Sequence, residues 1–190
     1  MEKSVHAGQG DELRRGALGP RLIVAVVGVA VSLLVTGAAQ GAPRSPALPN
    51  PVVTPGATNP RVTQATIHST ICVVGYTTRI RPSEYYTEKL KFHQLDSGYN
   101  LHGDTDASHY EEDHLIPLEV GGSASSVKNL WPEPRNIAWG ASRKDVLENA
   151  LHVLVCDGAM PLARAQRVFA TNWIAGYRRY VQRSATRVGT

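Results

Sequence analysis

Residues 109–122, HYEEDHLIPLEVGG, constrain the fold of this 190-residue chain more than any other stretch. Acidic residues and a histidine run into a short apolar segment, and the glycine pair at its end allows the positive φ angles of a turn. A second extended segment, KNLWPEP at residues 128–134, follows the polar residues of that turn. A helix is expected at about residues 141–155, ending at the cap formed by Asp157 and Gly158. The order of these segments predicts a ββα unit.

Further helices are predicted on both sides of this unit, so the expected fold is a small α+β domain. Ser83 can cap a helix over SEYYTEKLKFHQL, in which apolar residues recur at helical spacing. Pro161 suits the first turn of another helix, which is expected to run to about Arg183. Residues 63–82 are rich in Thr, Val and Ile, and they are predicted to be strand or extended chain.

An apolar segment near the N-terminus indicates that the rest of the chain is exported. Residues 22–39 carry no charged side chain and are long enough to cross a membrane. The arginines of the leader, residues 1–21, favour the cytoplasmic side for that end. Residues 22–42 are predicted to be either a signal peptide, cut where small residues follow the apolar run, or an uncleaved transmembrane anchor. Either alternative predicts a domain outside the cytoplasm, secreted or anchored to the cytoplasmic membrane through residues 22–39.

Composition divides the remainder of the chain into three parts. Residues 43–60 contain six prolines and one charged residue, which is typical of an extended linker rather than of a packed element. The folded domain is expected to span residues 61–183. Residues 184–190 would then form a short tail.

The two cysteines of the chain, Cys72 and Cys156, both lie beyond the apolar segment. Exported chains with two cysteines usually pair them, so a disulfide is predicted. The alternative is two unrelated buried thiols. Neither cysteine has the nearby second cysteine that a zinc knuckle requires.

The ββα unit carries a specific motif, made of Asp113-His114, Ile116-Pro117-Leu118, Gly121-Gly122 and Asn129-Leu130. In residue type and spacing this motif resembles the HNH endonucleases, which are also called His-Me finger or ββα-metal nucleases. The resemblance covers about residues 109–152, and the whole domain is similar to the small exported HNH-type proteins of bacteria. It implies a metal-dependent nuclease that hydrolyses phosphodiester bonds.

The resemblance implies roles for three polar residues of the motif. Cleavage of a phosphodiester needs a base that activates water and a cation that stabilises charge. His114 suits the base, because a neutral imidazole accepts a proton near neutral pH. By resemblance, Asp113 is a metal ligand, and Asn129 braces the hairpin and orients His114. Outside such a motif, an adjacent Asp-His pair is more often exposed on a strand, and an asparagine here can simply form a turn.

The predicted helix lacks the early histidine or asparagine that supplies the second metal ligand in the family. Asp145, Glu148 and His152 share one helical face, and Asp145 and Glu148 are the candidate ligands. Carboxylates favour magnesium or manganese over zinc. The alternative is that this face is only the exposed side of an amphipathic helix. Glu111 and Glu112 are interpreted as solvated edge residues and are left out of the site.

Basic residues supply candidates for substrate binding. No acidic residue follows Asp157, whereas six arginines do. A basic face of this kind can neutralise phosphates or lie on an anionic membrane, and the alternative is a solvated helix face. Arg178 and Arg179 are predicted to bind the substrate, and Lys144 is either a phosphate contact or a surface lysine.

Two functions of different class remain open from the sequence. The first is a metal-dependent nuclease acting on nucleic acid, with DNA as the favoured substrate. The second is a non-catalytic module of the same fold that binds nucleic acid or a partner in the cell envelope. Nothing in the sequence indicates a particular protein partner. A second carboxylate or imidazole close to Asp113 would favour the nuclease, because a metal site needs more than one protein ligand.

Overall fold

A computed structural model describes residue 45 and residues 47–183. This part of the chain contains four α-helices, α1 to α4, and two strands, β1 and β2, together with short 3-10 turns. The elements are α1 (Tyr76–Ile80), α2 (Glu84–Asp96), β1 (Tyr110–His114), β2 (Leu130–Pro134), α3 (Ala141–Cys156) and α4 (Leu162–Tyr177), which continues as a π-helical turn, Arg178–Gln182. Helices combined with a small sheet confirm the α+β class, and β1, β2 and α3 follow one another in the predicted ββα order.

Three of the predicted segments lie outside the described residues. They are the leader of residues 1–21, the signal or anchor segment of residues 22–42, and the tail of residues 184–190. Within residues 45 and 47–183, no helix is both long enough and apolar enough to span a membrane.

The two strands form an antiparallel hairpin that presents one row of acidic residues to α3. Tyr110 pairs with Pro134, Glu111 with Glu133, and His114 with Leu130. Because alternate residues of a strand share a face, Glu111 and Asp113 point to the same side of β1. Helix α2 packs against the sheet, and the side-chain amide of Gln94 donates to the Leu130 carbonyl over 3.1 Å.

The helix boundaries follow the predicted local signals. The Ser83 hydroxyl accepts a hydrogen bond from the Tyr86 backbone N–H and caps α2 as expected. Helix α3 ends at Cys156 with Asp157 as its C-cap, and Gly158, which follows, takes a positive φ of 73°. Leu147 and Leu151 of α3 are fully buried and form part of the hydrophobic core.

The two glycines that follow β1 have different functions in the turn. Gly121 has a φ of +78°, in the left-handed region that favours glycine. Gly122 is not in that region, but a Cβ atom there would overlap the carbonyl oxygen of Ile116. The predicted backbone freedom is therefore needed only at Gly121, and close packing requires a glycine at position 122.

Residues 63–82 do not form the predicted strand. They contain a 3-10 turn, Ile67–Ser69, and helix α1. The reason is local: the Thr66 hydroxyl donates to the Arg61 carbonyl over 2.9 Å, and the Thr70 hydroxyl donates to the Thr66 carbonyl over 2.6 Å. Such side-chain to backbone hydrogen bonds stabilise turns and compete with strand pairing.

The proline-rich segment packs on the domain, which corrects its assignment as an unpacked linker. Ala47 is 1% exposed, and its carbonyl accepts a hydrogen bond from the indole N–H of Trp173 over 3.1 Å. Further along, the Asn59 N–H donates to the Gly121 carbonyl over 2.8 Å. Prolines keep a chain extended because they lack an N–H donor and fix φ, but an extended chain can still lie on a folded surface. Packed structure therefore begins before residue 61.

The predicted disulfide between Cys72 and Cys156 is present and joins the segment before α1 to the end of α3. The bridge closes a loop with a sequence separation of 84 residues. On the chain-entropy model, a loop of this length stabilises the folded state by about 4 kcal/mol.

Reduction of this disulfide should lower the free energy of unfolding by about 4 kcal/mol. Urea denaturation of the oxidised and reduced chains would measure the difference. The Cys72→Ser, Cys156→Ser double variant is the control, because it should match the reduced parent and be insensitive to reductant. Equal midpoints for the oxidised and reduced parent chains would contradict the prediction.

Candidate active site

His114 lies at the end of β1 and is 3% exposed. Its Nε2 atom is 2.8 Å from the carbonyl oxygen of Ala124. A carbonyl can only accept a hydrogen bond, so Nε2 carries the proton and Nδ1 holds the basic lone pair. Burial lowers the pKa of His114 below its ordinary value, although the charge of Asp113 partly opposes this. The imidazole is therefore neutral near pH 7, as a general base must be.

Asn129 braces the loop between the two strands. It is fully buried, and its Oδ1 accepts from the backbone N–H groups of Ile116 and Ala57 over 2.9 and 3.3 Å. Its Nδ2 donates to the carbonyls of Ile116 and Ser123 over 2.9 and 3.0 Å. Because Ser123 directly precedes Ala124, this amide helps to position the carbonyl that holds His114. The arrangement has the geometry of the bracing function predicted for Asn129.

Three carboxylates meet beside His114. Glu111, Asp113 and Asp145 each offer an oxygen atom, and these atoms all lie within 4.8 Å of one another. The Oδ1 atom of Asp113 is also 4.0 Å from Nδ1 of His114. The structure thus brings together two predicted metal ligands, Asp113 and Asp145. It adds Glu111, which had been interpreted as a solvated edge residue.

The charges of this carboxylate group suit a cation. Burial, followed by the charge of Asp113, raises the pKa values of both Glu111 and Asp145. The Arg135 guanidinium lies 3.3 Å from the Glu111 carboxylate and offsets part of the repulsion among the carboxylates. Hard divalent cations prefer such oxygen ligands and would relieve the remaining repulsion. By the chemistry of its donor atoms, the group can hold a metal ion.

Lys144 is neither a surface lysine nor a surface contact for phosphate, which corrects both of its predicted roles. Its side chain is 0% exposed, and its ammonium contacts Asp113 and Glu148 directly. A third carboxylate, Glu133, lies 3.4 Å away. Although burial opposes the charged form, Asp113 and the two glutamates raise the pKa of Lys144 well above its ordinary value. Lys144 is thus a permanently charged group inside the site.

The carboxylates around Lys144 differ in protonation. Burial would raise the pKa of Asp113, but the Lys144 ammonium and a hydrogen bond with Glu133 outweigh burial and hold this pKa far below its usual range. Burial raises the pKa of Glu148 to about 8, with Lys144 opposing, and raises that of Glu133 well above normal. Asp113 therefore carries the negative charge, whereas the surroundings of Glu133 favour its protonated form more than water does. Glu148 contacts Lys144 and lies outside the three-carboxylate group, contrary to its predicted place among the metal ligands.

Arg178, Arg179 and His152 lie outside the three-carboxylate group. The guanidinium of Arg178 is 5.0 Å from the ring of Trp139, and that of Arg179 is 5.4 Å from the ring of Tyr180. Within the described part of the chain, neither arginine makes a hydrogen bond or ion pair with the carboxylate group. His152 donates toward the Glu119 carbonyl over 2.8 Å, next to the disulfide.

The sequence did not identify Glu111 and Glu133 as site residues, because the pairing of the two strands determines which side chains they contact. The alternation of β1 could have identified Glu111, since it lies two residues before Asp113 on the same face. Glu133 pairs with Glu111 on the neighbouring strand, and only the register reveals that contact.

Comparison with protein families, with curated proteins and with solved structures found no match. The resemblance to HNH endonucleases therefore rests on the motif residues.

Proposed function

We propose that this chain is a metal-dependent nuclease of HNH type that hydrolyses phosphodiester bonds of nucleic acid, with DNA as the first substrate to test. One observation carries the proposal: a buried, neutral His114 has its basic Nδ1 atom 4.0 Å from a carboxylate that belongs to a three-carboxylate group. A proton acceptor and a candidate cation site are thereby adjacent, which is the pairing that metal-assisted hydrolysis requires.

Each polar residue then has a chemical task. A divalent cation held by Glu111, Asp113 and Asp145 would stabilise negative charge on the phosphate and on the leaving oxygen. His114 accepts a proton from the attacking water at Nδ1, while its Nε2–H remains hydrogen-bonded to the Ala124 carbonyl. Asn129 fixes that segment, so the imidazole does not rotate out of position. Oxygen ligands favour magnesium or manganese over zinc.

The Lys144 ammonium is the observation that favours the alternative, a module of this fold without turnover. It already neutralises Asp113, and an ammonium can replace a metal ion as the partner of a buried carboxylate. Asp113 nevertheless has a second oxygen, Oδ1, which faces His114. Glu111 and Asp145 also keep ligand atoms close to Asp113. The nuclease is therefore the better supported of the two.

The proposed location of the domain is outside the cytoplasm. The Cys72–Cys156 disulfide supports this, because disulfides persist in oxidising compartments and are rare in the cytosol. Whether residues 22–42 are cleaved decides between a secreted and an anchored form, and the N-terminal sequence of the mature protein would distinguish them.

Cleavage assays with the oxidised full chain test the proposal. Supercoiled plasmid and a labelled RNA would be incubated with chelator, and then with added magnesium, manganese or zinc. We expect cleavage of plasmid with magnesium or manganese and none with chelator. A shift in plasmid mobility without cleavage under all conditions would favour the binding module, and the nuclease would be rejected.

A further inference from the structure

Two arginines converge on one indole ring at the start of α3. We call this surface the Trp139 clamp; it consists of Trp139, Arg143, Tyr177 and Arg178. The guanidinium carbons of Arg143 and Arg178 lie 4.9 and 5.0 Å from the centroid of the Trp139 ring. Arg143 also lies 5.9 Å from the ring of Tyr177. The two guanidinium groups therefore both lie against the Trp139 ring.

The Trp139 ring is held in place by packing against aromatic residues of the hydrophobic core. Trp139 packs edge-on against Trp173, with ring centroids 6.1 Å apart, and against Tyr177 at 5.6 Å. Trp173 is fully buried, and its indole N–H is anchored on the Ala47 carbonyl. An arginine stacked on such a ring loses less side-chain entropy when its N–H groups bind a ligand.

Neither arginine of the clamp is neutralised within residues 45 and 47–183. Arg143 and Arg178 are exposed, and neither forms an ion pair with a carboxylate of that part of the chain. Two like charges brought together without a counter-charge repel each other, and an anion relieves the repulsion. Stacked guanidiniums also keep their N–H edges available, and these match the oxygen atoms of a phosphate.

We propose that the Trp139 clamp binds backbone phosphates of a nucleic-acid strand that extends from the active site. The identity of the partner rests on the proposed function. Arg143 lies in the first turn of α3, one residue before Lys144 and two before Asp145, so the clamp and the carboxylate group share one end of this helix but occupy different faces of it. A membrane surface fits less well, because Trp139 and Tyr177 are half-buried by edge-on packing and do not project as insertion anchors.

Binding to a short fluorescent DNA, measured by anisotropy with chelator present, separates this inference from catalysis. We expect Arg143→Gln and Arg178→Gln each to weaken binding about tenfold, as loss of a charge-assisted phosphate contact does. Each should also reduce the slope of log affinity against log salt by about one. Arg178→Lys should have an intermediate affinity, because the charge remains but the planar stack is lost.

The matched control is Arg61→Gln, which removes the same charge from an exposed position outside the clamp. Binding losses confined to the clamp variants would support the inference, even if no metal induces cleavage by the parent chain. Equal losses in the control, or unchanged binding in both clamp variants, would overturn it. So would a clamp-dependent affinity for phosphatidylglycerol vesicles combined with unchanged DNA binding.

Discussion

Replacement of His114 by alanine should abolish metal-dependent cleavage of DNA while the protein stays folded and still binds DNA. Removal of a general base costs about 10²–10⁴ in rate. The loss belongs to the chemical step, because Nδ1 is the only basic atom of the imidazole, with Nε2 occupied by the Ala124 carbonyl. Single-turnover cleavage at saturating enzyme would measure this step apart from substrate binding.

The control for this variant is His68→Ala, which removes an exposed histidine from the 3-10 turn before α1. It should cleave like the parent chain. The parent's rate should also fall with decreasing pH only below the ordinary histidine pKa, because burial lowers the pKa of His114 and protonation removes the lone pair. Parental rates in His114→Ala would show that another group is the base.

Replacement of Lys144 by methionine should destabilise the fold more than any single surface change. The ammonium is fully buried among Asp113, Glu133 and Glu148. Loss of one partner from a buried ionic cluster costs about 3–5 kcal/mol, since the remaining charge is left without compensation. Urea denaturation at neutral pH would measure this as a lower free energy of unfolding.

The matched control is Lys89→Met, on the exposed side of α2, which should change stability by no more than about 0.5 kcal/mol. The effect of Lys144→Met should shrink as the pH falls. Lys144 holds the pKa of Asp113 low in the parent, so the stability that this pair contributes is present at neutral pH and is lost on acidification. A loss of unfolding free energy in Lys144→Met that is small and independent of pH would contradict the presence of a buried ionic cluster.

The parts of the fold that depend on local signals could be predicted from the sequence. The Ser83 cap, the ends of α3 and the turn at Gly121 each follow from a few neighbouring residues. The Cys72–Cys156 bridge followed from the number of cysteines and from predicted export. Asp113 and His114 could be predicted as site residues for the same reason, because the motif that contains them is continuous in sequence.

The remainder depended on contacts between distant segments. The charge of Lys144 suggested a surface residue, and its burial became visible only when β1, β2 and α3 were placed together. The proline-rich segment looked like a linker because nothing local records that Trp173 binds the Ala47 carbonyl. In residues 63–82, threonine hydroxyls bonded to nearby carbonyls and overrode the apparent strand preference.

Calorimetric titration of manganese into the oxidised full chain would show whether Glu111, Asp113 and Asp145 form a cation site beside His114. Asp145→Asn is the decisive variant, because this side chain makes no contact with the buried Lys144 ammonium, and Asp113→Asn is its companion. Glu84→Gln on α2 is the control for the loss of one exposed carboxylate.

We expect one manganese site in the parent chain and in Glu84→Gln. The affinity for manganese should fall roughly tenfold, or below the measurable range, in Asp145→Asn and Asp113→Asn, because each substitution removes an oxygen ligand. Parental affinity in both of these variants, or the absence of manganese binding by the parent chain, would contradict the site.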